Sequence, residues 1–306
     1  MLTTSRRMAA FAGAALFIVG ACTGSGATAS PSAAAPASVA PPASEAPSAS
    51  TAPTAAAIVI PDAIKAAGKI VWCVDVSYPP EEFYAADGTT AQGSDVDIAA
   101  EVSKRLGVTA QISNTGFDGI IPALLAKKCD LVISGMNDTE KRRAEVDFVD
   151  YLKVGQGLLV PVGNPKGIHT LEDLSGKSVA VQLGTTNKDA LDAENVVLKA
   201  ANKPLIVIKT YQQDTDGFQQ LALGRVDAFS TDSPVVAYYN SKPENAGKFE
   251  VGGTPIDPAP IGIAVTKDNT VLRDAVTAAI DAMYADGTLK AIVDKWGMTN
   301  AVVLLK

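Results

Sequence analysis

A chain of 306 residues with 33 acidic and 26 basic side chains, a formal net charge of −7, one histidine and three cysteines is long enough for one large domain or two modest ones. The acidic balance excludes nucleic-acid binding by long-range attraction. The lone histidine, His169 in GIHTLEDL, leaves a multi-histidine metal site or a histidine-based nucleophile triad without material and fits a surface or helix-start role.

Residues 1–21 carry Arg6 and Arg7 ahead of a short apolar run, AAFAGAALFIVGA, that ends on small residues, the charge order of an export signal. The run is shorter than the roughly 20 apolar residues of a spanning helix. Its end, VGAC, resembles a bacterial lipobox, which implies cleavage before Cys22 and a lipid on that cysteine. The alternative is an ordinary cleaved signal with an incidental cysteine, and SRRMAA is compatible with a twin-arginine or a general export route. Residues 23–57 are almost entirely Ala, Pro, Ser and Thr, with Glu45 the only charge, a composition expected to form a disordered spacer. Removal of the first 21 residues leaves 24 basic against 33 acidic side chains, a formal charge of −9.

From about Ile58 strand-like and helix-like segments alternate. IVWCVD at 70–75 suits a buried strand, and DVDIAAEVSKRLG at 95–107 is amphipathic, with Ile98, Val102 and Leu106 at helical spacing and Gly107 as the stop. AQIS then reads as a strand, GIIPALLAKK as a helix with Pro122 in its first turn, and DLVIS at 130–134 as a strand. This βαβαβ order predicts a sheet covered by helices. It restarts near 171: SVAVQLG, a strand; TNKDALDAENVVLKA, a helix; PLIVIKTY, a strand; and TDGFQQLALG leading into VDAFST. GQGLLVPV joins the two units, IGIAVTK at 261–267 is the natural return crossing, and the segment from Thr270 to Trp296 is helical in pattern. The expected organisation is a first lobe from 58–157 and 262–306 and a second from 158–261. Open α/β sheets place ligands beyond the carboxyl ends of their strands, where SYPPEEF, SGMNDTEKR, GTTNKD and STDSP fall.

Neither a GxGxxG fingerprint nor a GxxxxGK[ST] loop is present, so no nucleotide cofactor is expected. Glu81 and Glu82 are adjacent, and in an extended segment their side chains diverge, which disfavours an acid/base pair. Binding chemistry is better supplied. Arg142 can hold a carboxylate bidentately, with Ser134, Asn137 and Thr139 as polar partners, and Asp232 can receive an ammonium. Tyr78 and Phe117 offer aromatic walls. Taken singly, Arg142 is equally a surface cation and Asp232 equally a helix cap.

The motifs YPPEEF, GSDVDIAAEVSKRLG, FDGIIPALLAKKCDLVISGMNDTEKR, DLSGKSVAVQLGTT, LALGRVDAFSTD and DGTLKAIVDKWG together resemble the solute-binding proteins that deliver polar amino acids to ATP-driven importers, over about Lys69 to Gly297. The resemblance implies a type II periplasmic-binding-protein fold, two α/β lobes joined by two crossover strands and closing around one ligand. It assigns the ligand carboxylate to Arg142 with the Ser134 region, Thr185 and Thr186; the ammonium to Asp232; the aromatic faces to Tyr78 and Phe117; further contacts to Gly135 and Asn137; and a side-chain partner to Asp75. With Glu82 and Met136, these make the expected ligand-binding set. Subgroups with the same CVD and KCD settings imply a Cys73–Cys129 disulfide.

Ser94 and Asp138 depart from the pattern, the first where a bulky apolar residue is usual, the second adding a negative charge near Arg142. Asp75, Glu81, Glu82 and Asp138 are expected to make the cleft mouth acidic and to favour a basic or neutral ligand. The implied protein is a monomeric receptor on the outer face of the cytoplasmic membrane, held by Cys22, without cofactor or metal, and partnered by a membrane permease. The alternatives are an enzyme on the same fold, a cyclic-acid dehydratase with Glu82 or Asp138 as its acid, and a sensing or adhesion module.

Overall fold

A computed structural model describes residues 58–300 and 302–305; the export signal, Cys22 and the Ala/Pro/Ser/Thr segment lie outside the described residues. The first strand, Lys69–Val74, alternates as a two-sided strand must: Ile70, Trp72 and Val74 enter one core, while Cys73 enters another on the opposite face. Trp72 is fully buried, and its indole N–H is satisfied by Ser103 Oγ at 3.0 Å. Parallel neighbours flank this strand: Thr109–Asn114 on one edge and Leu131–Val132 on the other. DLVIS thus contributes only two residues of regular strand. Beyond Val132 the chain turns toward the other lobe, and Ser134 to Asn137 line the space between them.

Between the first two of these strands runs the helix Ser94–Arg105, which buries Ile98, Ala99 and Val102. Its first turn also pins the turn that follows the first strand, because Ser94 N donates to Pro80 O and Asp95 N to Glu81 O. Two long antiparallel strands, Val146–Pro161 and Ile256–Thr266, form the crossings. Their pairing runs from Thr266↔Val146 to Ile256↔Gln156, with irregularities between Ile256 and Ala259 and between Ile261 and Gly262. Beyond them the second lobe adds Ala228–Asp232, Ser178–Gln182 and Val207–Tyr211, in that order. Its strands are also two-faced: Val179 and Val181 meet Leu191 and Leu198, whereas Ala180 and Phe229 meet Leu221, Val235 and Tyr239.

The Thr270–Trp296 pattern resolves into two helices, Thr270–Ala285 and Thr288–Lys295, split where Gly287 takes φ +79°. Both dock on the first lobe through Leu272, Val276, Ile280, Met283, Leu289 and Val293. A short strand that the sequence pattern did not suggest, Val302–Leu304, pairs with Leu152–Val154 of the outgoing crossing. Cys73 and Cys129 are disulfide-bonded, with Cα atoms 5.7 Å apart. Pairing of Cys73 with Val132 brings the residue just before that strand within reach.

Candidate functional site

The strand ends of both lobes converge on one pocket. A small cavity of about 10 Å³ is lined by Tyr78, Phe117, Ser134, Gly135 and Asn137 from the first lobe. Gln182, Thr185, Thr186, Asn187 and Asp232 face them from the second. It adjoins a cavity of about 270 Å³ that shares Phe117 and Thr186 and adds Met136, Thr139 and Arg142. Of the expected set, ten residues line one space or the other. Asp75 and Glu82 line neither.

Tyr78 follows the first strand and is buried, its ring lying against Gly135, where an added Cβ would come within 2.8 Å of Cε1. A side chain at position 135 would therefore expel the aromatic wall. The Tyr78 hydroxyl hydrogen-bonds Asp232 across the cleft. Asp232 precedes the helix Ser233–Ser241 but makes no side-chain cap to it, so the helix-cap reading does not hold. Its Oδ1 instead accepts from Asn187 Nδ2 at 2.7 Å. Burial pushes this carboxyl up, opposed by the Tyr78 and Asn187 hydrogen bonds and the positive field of Arg142.

Arg142 lies in the short helix Glu140–Arg143, which Thr139 caps by accepting from Arg142 N at 3.2 Å. Its guanidinium stacks over Phe117 at 5.3 Å and donates to Asn137 O at 2.8 Å and, across the cleft, to Gly184 O at 3.1 Å. Burial moves its pKa down, against the raising fields of Asp232, Asp189 and Asp138. Asp138, the departure from pattern, does not capture it: that carboxylate pairs with Arg143 Nε at 3.0 Å. Ser94 is fully buried with no partner for its hydroxyl.

The second-lobe wall is built at a helix start. Thr185 caps Thr186–Ala200, accepting from Lys188 N at 3.2 Å while its hydroxyl donates to Gln182 O at 2.8 Å. Thr186 Oγ1 donates to Asn137 Oδ1 at 2.8 Å. Gly184, at φ +81°, lets the lobes approach: a Cβ there would meet the Asp118 backbone at 3.0 Å. Further bonds cross the cleft. Gln182 Nε2 donates to Asp75 Oδ2 at 2.6 Å and Asp214 N to Ser77 Oγ at 3.1 Å.

Asp75 is 3 % exposed and also accepts from Phe117 N at 3.0 Å; burial raises its pKa. Glu81 and Glu82, expected at an acidic mouth, are 1 % and 0 % exposed. The Pro80–Glu81 backbone is held against the 94–105 helix start, which turns both side chains inward, so neither is a rim group and Glu82 is behind the wall rather than on it. Buried groups that the motif reading missed are Gln182 and Asn187. A glutamine ending an otherwise apolar strand, SVAVQ, was the available signal for the first; nothing local marked the second.

Two α/β lobes hinged by paired crossings and closed over a polar pocket define a solute-binding protein. The chain belongs to the bacterial extracellular solute-binding proteins, family 3, whose family model matches residues 70–299. It is 32% identical to the L-cystine-binding protein TcyJ of Escherichia coli K12 over 76% of this chain and 84% of that protein. It is likewise 32% identical to the histidine-binding periplasmic protein of the same strain, over 72% and 85%. A solved ancestral arginine-binding protein bound to arginine superposes with a TM-score of 0.69 at 38% identity, covering 75% of this chain and 98% of that one. The family is one of binding proteins, not catalysts. In keeping with that, Glu82 is sealed from the cavities and Asp138 is ion-paired outside them.

Proposed function

We propose that this protein captures an amino acid with a cationic or neutral polar side chain, with Arg142 on the carboxylate, Asp232 on the ammonium, and Tyr78 and Phe117 against the aliphatic part. It is a substrate-binding protein for a polar amino acid, which it delivers to an ABC importer. The observation that carries the reading is that Arg142 and Asp232, one from each lobe, line adjoining cavities that share Phe117 and Thr186. The polar lining narrows the cargo: among the described residues Arg142 is the one arginine on the two cavities and is assigned to the ligand carboxylate, which leaves no second arginine there for an acidic side chain, while Asp75 and Asp232 stand buried beside the site. This lining disfavours an acidic side chain. Arginine, histidine and cystine, named for the relatives, are the first solutes to try.

Calorimetry on the purified soluble portion is expected to give micromolar or tighter binding of at least one of the three. Arg142→Ala should weaken that binding about 100-fold or more, since charge-assisted hydrogen bonds contribute about 1.5–3 kcal/mol each. Tight binding of glutamate with none of the three, or full affinity in the variant, would reject the assignment.

The lipobox-like VGAC and the spacer after it support a receptor tethered through lipidated Cys22 and closing on its ligand with the expected lobe boundaries. Cys22→Ala should then move the full-length protein from the membrane fraction to the soluble one; unchanged fractionation counts against the anchor.

A further inference from the structure

Behind the first-lobe wall lies a group of side chains that touches no cavity yet holds the wall in place. Ser134 Oγ donates to Glu82 Oε1 at 2.7 Å and accepts from Asp75 N at 3.0 Å. Gly135 N donates to Asp95 Oδ2 at 2.8 Å. Tyr151, on the outgoing crossing, donates its hydroxyl to the same Asp95 carboxylate, 2.7 and 2.8 Å from its two oxygens. The two pocket residues Ser134 and Gly135 are thus anchored on two acids, Glu82 and Asp95, that are each 0 % exposed and interact with one another.

No ion pair reaches either acid among the described residues. The titratable groups facing the pair are Glu81 beside it, Asp75 from the end of the first strand and Tyr151 from the crossing, none of them cationic. Two adjacent carboxylates deprived of water and of a counter-charge do not both ionise. Asp95 is the better placed to carry the negative charge, because it accepts from the Gly135 amide and Tyr151 and stands in the first turn of a 12-residue helix. Glu82, whose Oε2 is reached by no donor among the described residues, is the better placed to keep the proton and offer it to Asp95.

We propose that Glu82 and Asp95 hold one proton between them and in that state position the Ser134–Gly135 wall, so that solute affinity depends on that proton. They are positioning residues, acting through Ser134 and Gly135. Loss of the proton sets two negative charges side by side and pushes the wall from its place. The pKa directions agree: burial and the neighbouring acids raise Glu82 well above the usual carboxylate value, and burial raises Asp95 to about 6. By linkage, a folded-state pKa above the unfolded value near 4.3 gives stability that is fully present below about pH 4.3 and declines as pH climbs toward the folded value.

The inference rests on the amino-acid reading of the pocket only for its binding half, so two measurements are needed. The first is thermal unfolding of the solute-free protein from pH 5 to 8.5, for wild type and Glu82→Gln. The wild-type melting temperature should fall with rising pH, and the substitution should make that fall measurably shallower, the remainder belonging to the other buried acids whose pKa is raised, Glu81, Asp214 and Asp150 among them. A flat wild-type profile, or one that Glu82→Gln leaves unchanged, overturns the proposal whether or not any amino acid binds. The second is calorimetry with L-arginine over pH 6–8.5. Wild-type affinity should weaken at least tenfold toward the alkaline end, with proton uptake on binding, whereas the variant's affinity should stay constant across the range at whatever level it starts. Binding that is equally pH-dependent in both overturns the link to the wall. Absence of arginine binding at every pH removes arginine alone from the solutes proposed for the pocket, and the melts then decide the proton. If Glu82→Gln does not fold, Asp95→Asn, which removes the partner acid while keeping an acceptor for the Gly135 amide and the Tyr151 hydroxyl, takes its place in both measurements with the same expected and overturning results.

Discussion

In the first lobe the Ser134–Gly135 face of the pocket is held from behind by residues distant in the chain, whereas in the second the Thr185 corner is held by its own neighbours. Ser134 and Gly135 rest on Glu82 and Asp95, 52 and 40 residues away. Thr185, by contrast, is fixed by Gln182 O and Lys188 N, each three residues off. The first is a product of tertiary packing and the second of a strand ending in a capped helix, so damage to the first-lobe core should loosen Ser134 and Gly135 well before Thr185. That contrast is open to direct attack.

The largest effect is expected from breaking the Cys73–Cys129 bond, which belongs wholly to the first lobe. Its ends are 56 residues apart, and the chain-entropy account assigns a loop of that length about 4 kcal/mol. Replacing both cysteines with alanine should lower the melting temperature strongly and speed amide exchange in 69–74 and 131–137, while 178–190 stays protected. Equal loss of protection in both segments would show that the two walls do not differ in this way.

A smaller effect is expected at Asp232. Asp232→Asn should weaken a zwitterionic amino acid roughly tenfold or more, in line with the loss of one charge-assisted bond, and weaken its deaminated analogue much less. Equal losses measured by calorimetry would mean that the carboxylate serves Tyr78 and Asn187 rather than an ammonium. The smallest concerns Thr185, where removal of the cap by alanine should cost about 1 kcal/mol in chemical denaturation. If this substitution destabilised as much as loss of the disulfide, the second wall would have to be long-range after all.

The same contrast explains what could be read in the sequence. Periodicity marked most strands and helices, because burial of alternate faces in Lys69–Val74 or of Ile98 and Val102 in one helix is written locally. GTT before a helix likewise announced the second wall. The short strand Val302–Leu304 carried no such mark, since its pairing is with residues about 150 positions earlier. Glu81 and Glu82 were misplaced at the mouth for a related reason. Two adjacent glutamates after a proline pair look solvated by composition, and only the approach of the 94–105 helix start to the Pro80–Glu81 backbone puts them inside. Asp232 was ambiguous between cap and ligand group in the sequence, and the cap reading falls because its oxygen faces Asn187 rather than its own helix.

Among the bonds that cross the cleft, those of Asp75 with Gln182, Ser77 with Asp214, Asn137 with Thr186 and Arg142 with Gly184 join protein to protein and involve no solute atom. In this closed form they act as a clasp between the two lobes. On the proposed reading, release of a solute requires the clasp to part, so the clasp is expected to set a common upper limit on escape rate, and cargoes that close the lobes fully should differ more in how readily they are taken up than in how long they stay.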